Sequence, residues 1–313
     1  MKNDRGKVLI AAPVHAVLTD GLTAAGYDCV QQENISQLLA LSLIKDCVGV
    51  ITSTRLQFDK DLIEAAPGLK WIGRMGSGME VIDVTYAAQK GIACYASPEG
   101  NCNAVGEHAL GMLLSLVRRI TWSHNEMLAG VWKRDENRGT ELEGKTVGII
   151  GYGHTGAAFA KKLMAFDTRI LAYDKYNPQS IPGHIVNCKR VEELIQEADI
   201  ISFHVPLQAD TVHYFNGDFI AQVRKPFILI NTSRGPVVDL IALCDGIRSG
   251  KIAGACLDVF EQEPISRLRT DLRTALEELM NSPKVIVTPH IAGYTFEALY
   301  KMSKILLEKI TRS

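Results

Sequence analysis

Short apolar runs alternate with longer polar-and-apolar stretches along the whole chain. In the first hundred residues, 8–12, 27–30, 47–51, 69–74 and 92–95 read as five strands. Residues 35–45 and 59–66 between them read as helices, the second stopped by Pro67-Gly68. A second series of runs, 147–150, 169–173, 199–204, 227–231, 252–258 and 285–287, ends at or beside polar residues that include Asp174, His204, Asn231 and Asp258. Strands of this length alternating with helices predict parallel sheets covered on both faces. Between the two series, Pro98-Glu99-Gly100-Asn101 reads as a turn cluster and 104–128 as one long helix. That helix is nearly apolar in its first half, which predicts burial between domains or subunits. Residues 296–310 read as an amphipathic helix that packs back on the first domain.

The most informative stretch starts at Thr146. Val147-Gly148-Ile149-Ile150 runs into Gly151-Tyr152-Gly153-His154-Thr155-Gly156 and then into a helix-compatible segment. This is G-x-G-x-x-G between a strand and a helix, the pattern of a dinucleotide-binding turn. Gly151 permits the tight turn, Gly153 lets a pyrophosphate approach the backbone, and Gly156 lets helix and strand pack closely. The amides at the helix N-terminus, around His154 and Thr155, then face the phosphates. The next apolar run ends in Asp174, close to the roughly 20-residue spacing at which an acid meets the ribose hydroxyls. A carboxylate there favours NAD and repels the 2′-phosphate of NADP. Lys175 follows it, so NADP is disfavoured rather than excluded.

Composition narrows the classes further. With 313 residues, the chain is long enough for two domains. It is 47% hydrophobic and 22% charged, and 34 Lys and Arg balance 35 Asp and Glu. No basic footprint for nucleic acid or an anionic membrane is present. No apolar run is long enough to span a bilayer, and the one near the N-terminus is too short for a signal peptide. The seven cysteines include no C-x-x-C pair, which predicts reduced thiols in a cytoplasmic protein and no metal site. Cys102 could be a reactive thiol near a cleft, but no base lies beside it in sequence, and the inert reading is preferred.

Ligands of open α/β sheets bind beyond the carboxyl ends of the strands. Three segments there supply chemistry: Asn231-Thr232-Ser233-Arg234-Gly235, Glu261-Gln262-Glu263-Pro264 and Thr288-Pro289-His290-Ile291-Ala292-Gly293. Hydride transfer to an α-keto acid needs a cation to hold and polarise the acid, an acid–base for the alcohol proton, and a group that steadies that base. Arg234 can grip a carboxylate bidentately. His290 is the acid–base candidate, and Glu263 can fix its orientation.

Several further motifs stand in a recognisable order: Gly73-Arg74-Met75-Gly76-Ser77-Gly78, Asn101, Val105-Gly106-Glu107-His108, His204-Val205-Pro206-Leu207 and Ala255-Cys256-Leu257-Asp258-Val259-Phe260. With the segments above, they resemble the D-isomer-specific 2-hydroxyacid dehydrogenases over nearly the whole chain, and within that family the phosphoglycerate dehydrogenases. The resemblance implies an α/β fold of two doubly wound parallel-sheet domains. One is a Rossmann NAD-binding domain over 100–290, the other a flavodoxin-like substrate domain over 1–99 plus 291–313. It implies that Arg234, Glu263 and His290 are catalytic, and that the backbone around Ser77 and Gly78 receives the substrate carboxylate. It places Asp174 on the adenine ribose, Val205 and Pro206 by the adenine, and Thr232 and Asp258 near the nicotinamide. Gly293 joins the cofactor set. It also implies a homodimer packed through the helix that starts near Ala104.

The departures are informative. Phosphoglycerate-specific members often carry basic residues in the loop after the third strand, and here Thr52-Ser53-Thr54-Arg55-Leu56-Gln57 has one. Arg74 and Arg134 remain as further partners for a phosphate. The chain closes at Ser313, so no serine-sensing domain and no feedback control of that kind are expected. The expected activity is NAD-dependent oxidation or reduction of a 2-hydroxy or 2-keto acid, with 3-phosphoglycerate among the candidates. The alternative of another class is an NAD-binding corepressor-like interaction module on the same fold. A formate dehydrogenase is disfavoured by Glu263, where an amide is expected.

Overall fold

The computed structural model describes residues 5–312 apart from Asn177; residues 1–4, read above for a targeting signal, and Ser313 lie outside the described residues. The chain divides into two compact units, residues 1–102 with 294–313, and residues 103–293.

In the first unit, β1 (Gly6–Ile10), α1 (Ala16–Ala24), β2 (Tyr27–Gln31), α2 (Gln37–Leu43), β3 (Cys47–Thr52), α3 (Lys60–Glu64), β4 (Trp71–Arg74), α4 (Val84–Gln89) and β5 (Ala93–Ala96) alternate along the chain. The strands form one parallel sheet in the order β2-β1-β3-β4-β5. That is the flavodoxin-like doubly wound order. Local signals start the helices: the Asp59 carboxylate accepts from the Leu62 amide at 3.0 Å, and Asp83 from Tyr86 at 2.8 Å. The C-terminal helix, Phe296–Thr311, returns to this unit against α1, β4 and β5. Its Ser303 hydroxyl accepts the His15 amide at 2.9 Å, and Lys309 donates to the Ala96 carbonyl at 2.9 Å.

The turn expected at Pro98-Glu99-Gly100-Asn101 is the first turn of a helix, α5 (Pro98–Val117). Proline suits the first helical position, where no amide is needed and its φ is already right, and Glu99 favours the positive end of the helix. The single helix expected over 104–128 is two helices, α5 and α6 (Ile120–Leu128). The Thr140 amide takes the Val117 carbonyl at 2.9 Å, and Arg119 turns into the left-handed region at φ 55°. These end α5.

The second unit continues with β6 (Thr146–Ile150), α7 (His154–Leu163), β7 (Arg169–Tyr173), β8 (Val186–Asn187), α8 (Val191–Ile195), β9 (Ile200–Phe203), α9 (Gly217–Gln222), β10 (Phe227–Asn231), α10 (Leu240–Arg248), β11 (Ile252–Leu257), α11 (Thr270–Met280) and β12 (Val285–Val287). Seven parallel strands lie in the order β12-β11-β10-β9-β6-β7-β8. The order reverses between β6 and β9, and this switch point opens the ligand crevice of a doubly wound sheet. Two apolar layers cover the sheet. On one side, Phe203, Phe215, Phe219 and Phe227 pack with centroids 5.4–6.2 Å apart. Burying each ring contributes about 1.5–3 kcal/mol. The other layer joins Ala109, Met112, Leu113, Leu116 and Val117 of α5 to Val147, Ile149, Phe159 and Leu163. The apolar half of α5 is thus core of its own unit, so its composition is no argument for an interface. Among the described residues, no helix is long and apolar enough to cross a membrane.

Candidate active site

The fingerprint sits at the switch point. The five residues of β6 are buried, and the chain leaves the strand at Gly151 with φ 92°, a conformation that side chains resist. Gly153 is extended and exposed, with no side-chain cap on α7 and nothing near the place of its missing Cβ. The first-turn amides of α7, at His154 and Thr155, therefore keep their donors open to an anion. A Cβ on Gly156 would fall 2.2 Å from the Gly151 carbonyl oxygen, so only glycine lets α7 sit this close to the turn.

Asp174 follows β7. Its carboxylate accepts the amides of Tyr152 at 2.7 Å and Tyr176 at 2.9 Å, which fix it beside the glycine turn. Val205 and Pro206 follow His204 in the loop after β9, half-buried and exposed respectively. His204 is buried, with Ser202 Oγ at 2.9 Å from Nε2 and Thr155 Oγ1 at 3.3 Å from Nδ1. Burial pushes its pKa down to about 4, so it stands neutral under the fingerprint. After β10, Asn231 is fully buried and shapes the turn: its Oδ1 accepts the amide and hydroxyl of Ser233, and its Nδ2 donates to the Arg234 carbonyl. That turn carries Thr232, whose buried hydroxyl has no partner. With the open amides of α7 and the carboxylate of Asp174 beside the glycine turn, this hydroxyl completes a donor and acceptor set that fits a dinucleotide.

The three catalytic candidates lie at the ends of β10, β11 and β12. His290 Nδ1 is 2.5 Å from Glu263 Oε2, and Glu263 Oε1 accepts the Phe260 amide at 2.9 Å. Burial alone would raise the Glu263 carboxyl. Bonding and charge from His290, the Phe260 amide and the charge of Arg234 outweigh it and hold the group below its ordinary value. Arg234, half-buried, donates to the Ser233 carbonyl at 2.7 Å. The two acids of Glu261-Gln262-Glu263 part company. Glu261 accepts the Leu240 amide at 2.9 Å and faces His213 at 3.2 Å, serving the fold, while Glu263 faces His290.

His290 has φ 56°, unusual for a residue with a side chain. Asp258 holds it there. The Asp258 carbonyl accepts the His290 amide at 2.8 Å, and its carboxylate accepts the amides of Ile291 and Ala292 at 2.9 and 2.8 Å and the Thr288 hydroxyl at 2.6 Å. Asp258 is fully buried. Its carboxylate braces the His290 loop. His108 of α5 stands behind, 2.9 Å from the Thr288 hydroxyl and 3.6 Å from Asp258. Sequence reading assigned His108 no part here. Its partner lies 180 residues away, and only its motif Glu107-His108 marked it. Gly293 is the last residue of the second unit.

Ser77 and Gly78 lie in the first unit, in the loop after β4. Arg74, at the end of that strand, is buried and donates to the Met75 carbonyl at 2.6 Å. Its Nη1 lies 1.5 Å from where a Cβ on Gly76 would stand, so the guanidinium fills the space under this loop. Arg55 is exposed and donates to Asn34. Arg134 is exposed in the second unit.

Comparison with known proteins shows the family. The family model described as "D-isomer specific 2-hydroxyacid dehydrogenase, NAD binding domain" matches residues 110–292. The chain is 36% identical to a hydroxypyruvate reductase of Thermotoga maritima over 90% of this chain and 89% of that protein. It is 32% identical to a D-3-phosphoglycerate dehydrogenase of Archaeoglobus fulgidus over 97% of its own length, but spans only 56% of that relative. The solved D-lactate dehydrogenase of Aquifex aeolicus, complexed with NAD and lactic acid, superposes with a TM-score of 0.83 at 28% identity, covering 97% of this chain and 94% of that one.

Proposed function

The chain belongs to the D-isomer-specific 2-hydroxyacid dehydrogenase family, and we propose that it interconverts a small, unphosphorylated 2-keto acid and its 2-hydroxy acid with NAD as cofactor. The observation that carries this reading is the pairing of His290 Nδ1 with Glu263 Oε2 at 2.5 Å, with the Arg234 charge felt at the same carboxylate. Bound NADH supplies the hydride for the carbonyl carbon. Arg234 holds the acid by its carboxylate and polarises the carbonyl. The amides around Ser77 and Gly78 take the remaining carboxylate charge. Glu263 receives the Nδ1 proton of His290 in a hydrogen bond, so Nε2 is the nitrogen that gives its proton to the carbonyl oxygen in reduction and takes it back in oxidation. The first unit serves as the substrate domain and the second as the NAD-binding domain.

The substrate size follows from the arginines. Arg74 is buried under its own loop and Arg55 is bonded to Asn34, which leaves a phosphate poorly provided for. NADH oxidation against pyruvate, hydroxypyruvate, glyoxylate, 2-ketobutyrate and 3-phosphohydroxypyruvate tests this. Hydroxypyruvate is expected to turn over best, as the T. maritima relative's name suggests. A preference for the phosphorylated acid would overturn the size argument. Turnover of none would leave a cofactor-binding interaction module.

Asp174 sets the cofactor preference. We expect kcat/KM with NADH to exceed that with NADPH by about 100-fold or more, and Asp174→Ala to narrow the ratio about tenfold, near 1.4 kcal/mol. Equal efficiency with both cofactors in the wild type removes this role.

The protein is expected to be a dimer, packed through the second half of the span read as one helix over 104–128. Ile120, Met127 and Leu128 of α6 and Trp132 after it are 55%, 54%, 74% and 76% exposed. That is more clustered apolar surface than a monomer ordinarily leaves wet. Sedimentation at micromolar concentration should give a dimer, and Leu128→Glu should shift it to monomer. A wild-type monomer sinks the assignment. The seven cysteines are free, which suits a cytoplasmic setting.

A further inference from the structure

The residue that follows Asp174 is a lysine, and a lysine beside the ribose acid is what an NADP-binding site would use to neutralise a 2′-phosphate. Here Lys175 Nζ lies 2.5 Å from Asp210 Oδ2. Asp210 comes from a different element, the loop after β9. That loop is pinned by Thr211, whose hydroxyl donates to the Pro206 carbonyl at 2.7 Å and accepts the Gln208 amide at 2.7 Å. Tyr176 completes the clasp. Its hydroxyl reaches Gln208 Oε1 at 3.1 Å and Asp210 Oδ2 at 3.4 Å, and Lys175 Nζ lies 5.4 Å from its ring centroid. Lys175 is thus drawn across to the β9 loop.

We propose that Asp210 is a second cofactor-specificity residue, which excludes NADP by sequestering Lys175 and by adding a second carboxylate to the adenosine end of the site. This rests on the reading of Asp174 as the ribose-binding acid. With Asp174 and Asp210 both present, the three charges sum to one negative, facing a phosphate of nearly two negative charges. Removing Asp210 frees the lysine and brings the local sum to zero. Removing Asp174 alone leaves the cation clasped. The mutual bond also shifts each partner toward its charged form: the hydrogen bond to Asp210 raises Lys175, and the hydrogen bond to Lys175 lowers Asp210. Both groups are substantially exposed, so the pair adds little to stability. Its consequence lies in where the charge points.

The test is cofactor binding, read by titrating the unmodified protein and its variants with NADH, NADPH and 2′,5′-ADP in the absence of keto acid. In Asp210→Asn, the NADPH-to-NADH affinity ratio should rise roughly three- to tenfold at low salt, and the gain should shrink as salt screens it. The gain should vanish in K175Q/D210N, because it needs the released cation. Asp174→Ala/Asp210→Asn should exceed either single variant. Glu197→Gln breaks the comparable surface pair with Arg169 at the opposite end of β7 and should leave the ratio unchanged. An unchanged ratio in Asp210→Asn overturns the proposal, as does a gain that survives in K175Q/D210N. A response to Asp210→Asn with none to Asp174→Ala would instead remove the ribose role of Asp174 and leave Asp210 as the discriminating residue.

Discussion

His290→Gln is expected to lower kcat for keto-acid reduction by about 10²–10⁴-fold, the range for removing a positioned acid–base. NADH affinity should stay close to wild type, because the candidate dinucleotide contacts lie at α7, Asp174 and Thr232, away from the imidazole. The companion variant, Glu263→Gln, should act on the positioning of that imidazole. The Glu263 carboxyl sits below its ordinary value of 4.5 in the folded protein. Its contribution to stability is therefore complete above the unfolded value and is lost only as pH falls through the lower folded one. It remains an anion through the neutral range, 2.5 Å from His290 Nδ1. Glu263→Gln weakens the bond that fixes the imidazole, so kcat should fall with little change in NADH affinity. Full activity in His290→Gln would remove the histidine from the mechanism. An unchanged kcat in Glu263→Gln would uncouple the pair.

The parallel sheets were legible because strand runs such as 147–150 and 227–230 carry no polar side chain, as suits strands buried on both faces. The fingerprint was legible because its glycines answer steric demands: φ 92° at Gly151 and a carbonyl 2.2 Å from any Cβ on Gly156. The break between α5 and α6 was not. It depends on the Val117 carbonyl being taken by Thr140, a contact that apolar periodicity does not encode. The fate of α5's apolar face was hidden for a similar reason. A helix rich in Met112, Leu113 and Leu116 looks the same whether it meets its own sheet or another subunit. Spacing alone does not separate Glu263 from Glu261, since both stand in one short loop; the structure divides them by their partners, Leu240 and His213 for one and Phe260 and His290 for the other.

Asp258→Ala is expected to damage both stability and turnover. The carboxylate accepts three donors, the amides of Ile291 and Ala292 and the Thr288 hydroxyl, all within 2.9 Å, and is itself fully buried. Removing it leaves the two amides without this acceptor, at about 1–3 kcal/mol for each that water cannot reach. A total near 3 kcal/mol corresponds to a fall of roughly 6–12 °C in Tm for a unit of this size. The activity should fall further than stability alone requires. His290 is held at φ 56° by the loop this carboxylate clamps, and a non-glycine residue leaves that region when released. The imidazole then drifts from Glu263, and kcat should drop by about 100-fold even at temperatures where the variant is folded. Thr288→Val keeps the carboxylate and removes one donor, so it should show a smaller fall in both. Cofactor affinity decides between the two roles open to Asp258. If it clamps the loop, NADH should bind Asp258→Ala nearly as well as wild type while kcat falls. If it instead contacts the nicotinamide, NADH affinity should fall first.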